Sequence, residues 1–241
     1  MPASASERQF SRRGSKLAEQ LTVTIEAEII ALGWPVGRPL GSEAESMERY
    51  GVSRSIFREA VRLLESRQVV EMRRGRGGGL YVARPDPGVV SDAVARFLRY
   101  RQVSARDLFE VRQALELTSV RLAAERASED DVARLRELTE LGTDPSPEEI
   151  AARSAEFHIA VAEASGNSAI HLFIQVVTEL TEVLVDHEPA GHILGDVERA
   201  HGGIVDAIAS LDPMMAQRRM IRHFQAMTRV GWPDDGPTPA P

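Results

Sequence analysis

The chain has 241 residues, 43% hydrophobic and 27% charged, with a formal net charge of -7 at pH 7. This composition suits one large or two modest globular domains and excludes the disordered and membrane classes. With no cysteine, a disulfide framework, a thiolate metal site and a cysteine nucleophile are excluded as well.

Residues 1–14, MPASASERQFSRRG, lack the apolar centre of a signal peptide and read as a disordered leader. No later run approaches 18 apolar residues, so no spanning helix and no membrane partner are expected and a cytoplasmic location is predicted. The charge is unevenly spread. Met1 to Arg84 holds 14 Lys+Arg against 10 Asp+Glu, while the remainder holds 15 against 26. A basic front and an acidic back point to a polyanion met by the front alone.

A winged DNA-binding domain is predicted over 15–84. From Lys16 to Ala31, Leu17, Leu21, Ile25 and Ile29 recur four apart, a helical stripe. GWPVGRPLGS breaks it. Ser42 is placed to cap a short helix with Glu43 and Glu45 in its first turn, where the helix dipole favours acids. Gly51 ends that helix, and Ser53 caps a second whose stripe is Ile56, Phe57, Ala60, Val61 and Leu64. The pair makes a helix-turn-helix. VVEM and LYVA then read as strands joined by the basic loop RRGRGGG, a wing in which glycines let the backbone approach phosphate. Arg73, Arg74 and Arg76 supply charge there, with minor-groove insertion open to them. At the start of the second helix Ser53 and Ser55 suit phosphate oxygens. Arg54 and Arg58 lie one turn apart on one face, and arginine is the usual bidentate reader of guanine. A serine-capped helix start with solvated arginines is the alternative for this turn taken by itself.

ARPDPG (83–88) places a hinge at 85–90. Beyond it an all-helical domain is expected over 91–232, ahead of a flexible tail at 233–241. Its helices are predicted at about 89–101, 105–127, 129–141, 147–165, 168–186, 196–209 and 213–230. Ser146-Pro147-Glu148-Glu149 is a capping box, and Asp212-Pro213 repeats the cap-then-proline device. A bundle of this size can hold a core and an internal cavity. His158, His201 and His223 fall on apolar stripes of three helices. They are either satisfied core residues or, on converging helices, three imidazoles around one metal. His171, His187 and His192 lack that setting. Arg112 falls between Leu108 and Leu115 on an apolar face and needs an anion, either Glu116 one turn along or a small carboxylate effector held in a fork.

YGVSRSIFREAVRLLE followed by RRGRGGGLYV closely resembles the winged helix-turn-helix of GntR-family bacterial transcriptional regulators, from about Lys16 to Ala83. The resemblance implies that Ser53, Arg54, Ser55 and Arg58 contact DNA, with Arg74 and Arg76 in the wing and Gly77 at its tip. It also implies a homodimer on a short palindromic operator, expected here to act as a repressor. The chain departs from the family at Ala44 and Ser46, where an arginine and a leucine are usual, with Met47 and Tyr50 as candidates to compensate in the core. LFEVRQALE, EFHIAVAEASGN, AHGGIVDAI and MIRHFQAM resemble the effector domain of the FadR-type branch. Many members of that branch hold a divalent metal through one aspartate and three histidines, and the metal helps bind an organic acid. Carried over, the ligands are His158, His201 and His223, for zinc or nickel. The usual aspartate is Ser154. A metal-free regulator of a larger acyl ligand and a three-histidine zinc enzyme are the alternatives.

Overall fold

The computed structural model describes residues 5–75, 77–140, 142, 145–184 and 194–229. Two compact units divide the chain between Val89 and Val90.

The first unit opens with helix α1 (Ala5–Ala31), which starts well before the Lys16 expected from the pattern. Residues 5–14, expected as a leader, are its first turns. They carry alanine, glutamate, arginine and glutamine, all good helix formers, and no proline. The apolar stripe also differs from a strict spacing of four. Ala18, Leu21, Ile25 and Ile29 are buried, whereas Leu17 is 42% exposed. A spacing of four drifts against the 3.6-residue period, so within one further turn position 18 replaces position 17 on the buried face.

Strand β1 (Pro39–Gly41) follows, within the segment read as a break. Helix α2 (Glu43–Tyr50) is capped by Ser42 in a capping box with Glu45 and closed by Gly51 at φ 64°. That left-handed conformation is one a glycine reaches without a side-chain clash. Helix α3 (Arg54–Ser66) buries Phe57, Ala60, Val61 and Leu64. Strands β2 (Val70–Arg73) and β3 (Gly79–Val82) form the wing. The sheet is antiparallel in the order β1-β3-β2. Short β1 escaped the sequence reading because three residues holding a proline and a glycine carry no alternation. It fits against β3 only because position 79 is glycine: a Cβ there would meet the Gly41 carbonyl oxygen at 2.6 Å. Val70 and Val82, paired across the wing, join Ile25, Phe57, Leu64 and Leu80 in one core. Ser46, where the family usually has leucine, is buried, with Met47 and Tyr50 packed partly into the same core.

After α4 (Pro87–Tyr100), which begins just ahead of the unit boundary, the regular elements among the described residues of the second unit are all helices: α5 (Ala105–Arg126), α6 (Glu129–Thr139), α7 (Pro147–Ala164), α8 (Ser168–Leu184), α9 (Leu194–Ala209) and α10 (Pro213–Arg229). Helix α4 begins inside the stretch read as a hinge. Proline suits a first helical position, and Asp86 Oδ1 accepts from the Gly88 amide at 2.9 Å. Capping boxes start α5 at Ser104, α6 at Ser128 and α7 at Ser146. The first two close with Asp107 and Asp131, which a search for Glu or Gln at that position misses. Helix α5 runs through the middle, against α7, α8, α9 and α10. Phe109, Phe157, Phe224, Ile204, Ile208 and Met220 form the main core. No helix among the described residues is long and apolar enough to cross a membrane. His187, His192 and the tail at 233–241 lie outside the described residues.

Candidate functional site

The start of α3 is built for exposure. Ser53 has the extended backbone of an N-cap, yet its side chain makes no capping hydrogen bond. Its hydroxyl instead lies 3.1 Å from that of Ser55. Neither hydroxyl is committed to the helix backbone, and the first turn presents its amides and two hydroxyls to solvent.

The two arginines behind them are exposed but not solvated at random. Arg58 Nε donates to Glu43 Oε1 at 2.8 Å and Nη2 donates to Oε2 at 3.3 Å. Arg54 Nε lies 3.6 Å from the same carboxylate. Hydrogen bonding from Arg58 holds the Glu43 carboxyl below its ordinary range, and Glu43 in turn raises the arginine. Sequence reasoning placed Glu43 as a dipole partner of α2 and missed this link. The available signal was weak, an acid fifteen residues from Arg58 across a helix-turn-helix.

Between α3 and the wing lies a groove of about 600 Å³ lined by Glu43, Arg58, Arg62, Met72, Arg73 and Arg74. Arg73 stacks over the Tyr81 ring at 4.2 Å while its Nε donates to Glu71 at 2.7 Å. Arg74 is exposed. Gly77 has φ 82° and its carbonyl accepts from the Tyr81 hydroxyl at 2.6 Å, which fixes the shape of the wing. Arg76 lies outside the described residues.

In the helical unit the three predicted histidines converge. His158 comes from α7, His201 from α9 and His223 from α10. All three are buried, with one candidate ligand nitrogen each, all within 4.8 Å of one another. His158 Nε2 and His223 Nε2 are 3.2 Å apart. Two ligands at the usual zinc–nitrogen length on a tetrahedral ion stand about 3.4 Å apart. His201 stacks on Phe157 at 4.0 Å, and its buried Nε2 has no hydrogen-bond partner among the described residues. Burial, with His158 next, lowers the pKa of His223 to about 3 and that of His201 well below the ordinary histidine value. Neutral imidazoles are what a metal requires.

Arg112 joins this cluster through Glu116. Its Nε donates to Glu116 Oε1 at 2.7 Å, and Glu116 Oε2 abuts His158 Nδ1. Of the two anions considered for Arg112, the internal one is therefore present. Burial raises the Glu116 carboxyl, but His158 and Arg112 together outweigh it and hold the group ionised. A carboxylate against Nδ1 favours the proton there and leaves Nε2 as the free donor atom of His158. Only the Arg112–Glu116 spacing was legible beforehand; nothing in the sequence joined Glu116 to His158.

Ser154 lies one turn before His158 on α7 and lines a cleft with His201, Arg153 and Glu198. The cleft holds about 10 Å³, room for a water molecule or an ion.

Residues 17–80 match the family of bacterial regulatory proteins called gntR, and residues 107–226 match the FCD domain. The HTH-type transcriptional regulator RmpR of Mycobacterium gastri is 34% identical over 83% of this chain and 74% of its own length. The chain belongs to the GntR family. The Glc operon transcriptional activator of Escherichia coli K12 is 28% identical over 88% of each chain. Among solved structures, Streptococcus agalactiae GntR superposes with a TM-score of 0.67 at 26% identity, covering 89% of this chain and all of that one. This GntR-family chain is thus a transcriptional regulator with an FCD effector-type domain, and its relatives are regulators rather than enzymes.

Proposed function

We propose that the protein is a cytoplasmic, homodimeric repressor that reads a short palindromic operator with α3 and the wing. In this reading it responds to a small organic acid at the histidine cluster. Ser53 and Ser55 hold phosphates, Arg54 and Arg58 reach base edges, and Arg74, Arg76 and Gly77 line the backbone at the wing. Two copies give the two-fold symmetry that a palindrome shares. Repression requires only occupancy of the operator, whereas activation also needs a surface for the transcription machinery, so the simpler role is proposed.

The observation that carries the effector half is the convergence of three buried imidazoles, with His201 Nε2 unpartnered among the described residues. Those residues fit zinc or nickel, held by His158, His201 and His223. A bound ion supplies a Lewis-acidic position for a carboxylate oxygen. Glu116 orients His158, and Arg112 keeps Glu116 ionised. Arg112 thereby acts on the site through Glu116 and not as the effector's own fork. Effector control works to the extent that the acid prefers one arrangement of the dimer over another.

Selection of bound DNA from a random pool tests the first half, followed by challenge with small organic acids in the presence of zinc or nickel. A palindromic motif released by one acid is expected. No enrichment over random DNA at moderate salt refutes operator reading. Unchanged metal content and acid response in His201→Ala refute the histidine site. Arg54→Ala is expected to abolish specific binding with the fold intact.

A further inference from the structure

We infer that Glu43 is a specificity-positioning residue, a carboxylate buttress that holds Arg58 with its outer edge ready to fork a guanine. The inference rests on the proposed operator reading and sharpens it.

An arginine has two edges that can form paired hydrogen bonds. One is the side edge, Nε with one terminal nitrogen; the other is the end, formed by the two terminal nitrogens. Here Glu43 occupies the side edge of Arg58 with both oxygens, at 2.8 and 3.3 Å. The end edge remains for O6 and N7 of guanine, the pairing that arginine makes most specifically in the major groove. Glu43 is itself fixed. It is the first residue of α2, directly after Ser42, whose capping box with Glu45 pins that turn. The link crosses from one helix of the helix-turn-helix to the other, at the end of α3 that leads into a groove.

An exposed ion pair is generally worth little to folding, and that is consistent with a role in binding. Arg58 is 60% exposed at the side chain and Glu43 30%, so the pair adds little to the core. What it removes is rotational freedom from a long side chain before DNA arrives, a cost otherwise met on binding. Arg54 approaches the same carboxylate at 3.6 Å through one nitrogen only. Glu43 also places a negative charge on the DNA-facing side, which disfavours phosphates without regard to sequence. That charge weakens operator and random DNA alike, so the ratio between them reports the buttress.

The test is selection from a random pool, then measurement of operator and random-DNA affinity, for wild type, Glu43→Gln, Arg58→Ala and the double variant. For Glu43→Gln we expect tighter random-DNA binding and weaker operator binding, so the ratio between them falls about tenfold or more. Enrichment of one guanine per half-site should relax while other positions hold. In the Arg58→Ala background, adding Glu43→Gln should change the ratio no further. Arg58→Lys, which keeps the ion pair but lacks the fork, should relax the same guanine and covers the case of a poorly folding Glu43 variant. A motif that is enriched by wild type but keeps its guanine and its affinity ratio in Glu43→Gln overturns the buttress alone. Equal gains on operator and random DNA overturn it too, since they show a plain charge effect. No motif with wild type overturns both this inference and operator reading.

Discussion

Replacing Arg112 with methionine separates the two partners considered for that residue. Arg112 is 6% exposed and Glu116 1%, and their contact is a single 2.7 Å charge-assisted hydrogen bond. Arg112→Met keeps most of the aliphatic volume and strands a carboxylate in the core. Removing one partner of a buried pair costs about 3–5 kcal/mol. Because His158 stays against the other oxygen of Glu116, the lower end applies, about 3 kcal/mol. For a unit of this size that corresponds to a Tm lower by about 6–12 °C, at about 2–4 °C per kcal/mol. The assay is thermal unfolding followed by helical circular dichroism, without added effector. Arg112→Met/Glu116→Gln should recover part of the loss, because a neutral amide replaces the stranded charge. A single variant melting within about 2 °C of wild type, well short of the shift expected for the lost pair, would refute the internal-pair account. It would return Arg112 to the effector.

Two further outcomes concern the histidine cluster. Ser154→Asp is expected to raise zinc or nickel affinity at least about tenfold by competitive chelator titration, since even outer partners of metal ligands change affinity about 10–100-fold. Unchanged affinity would mean that position 154 does not reach the ion. In metal-free protein, His201 and His223 are held neutral by burial, so the unfolded chain binds more protons than the folded one below about pH 6.5. Stability should therefore be fully present above that pH and fall on acidification, by about 2 kcal/mol from His223 alone at pH 5. His223→Asn should flatten the urea-denaturation profile between pH 7 and 5, and an equally steep profile would count against this origin.

Local rules in the sequence determined most of the secondary structure. Apolar periods placed α3 and the helices of the second unit, and Ser42, Gly51, Ser146 and Asp212-Pro213 marked ends that the structure shows. Such signals act over one or two turns, which a linear reading can see. The same reading named His158, His201 and His223 as candidates because each sat on an apolar face. It left open whether they met, since convergence depends on how α7, α9 and α10 pack around α5. Tertiary packing decided that Glu116 serves both Arg112 and His158, and that Ser154 and His201 line one cleft of about 10 Å³. It also decided that β1 completes the wing sheet, where the only sequence trace is the glycine at 79 that lets two backbones approach. Most of all it brought Glu43 to Arg58. Charges fifteen residues apart on different helices carry no periodic signature, and only the turn between α2 and α3 sets them face to face.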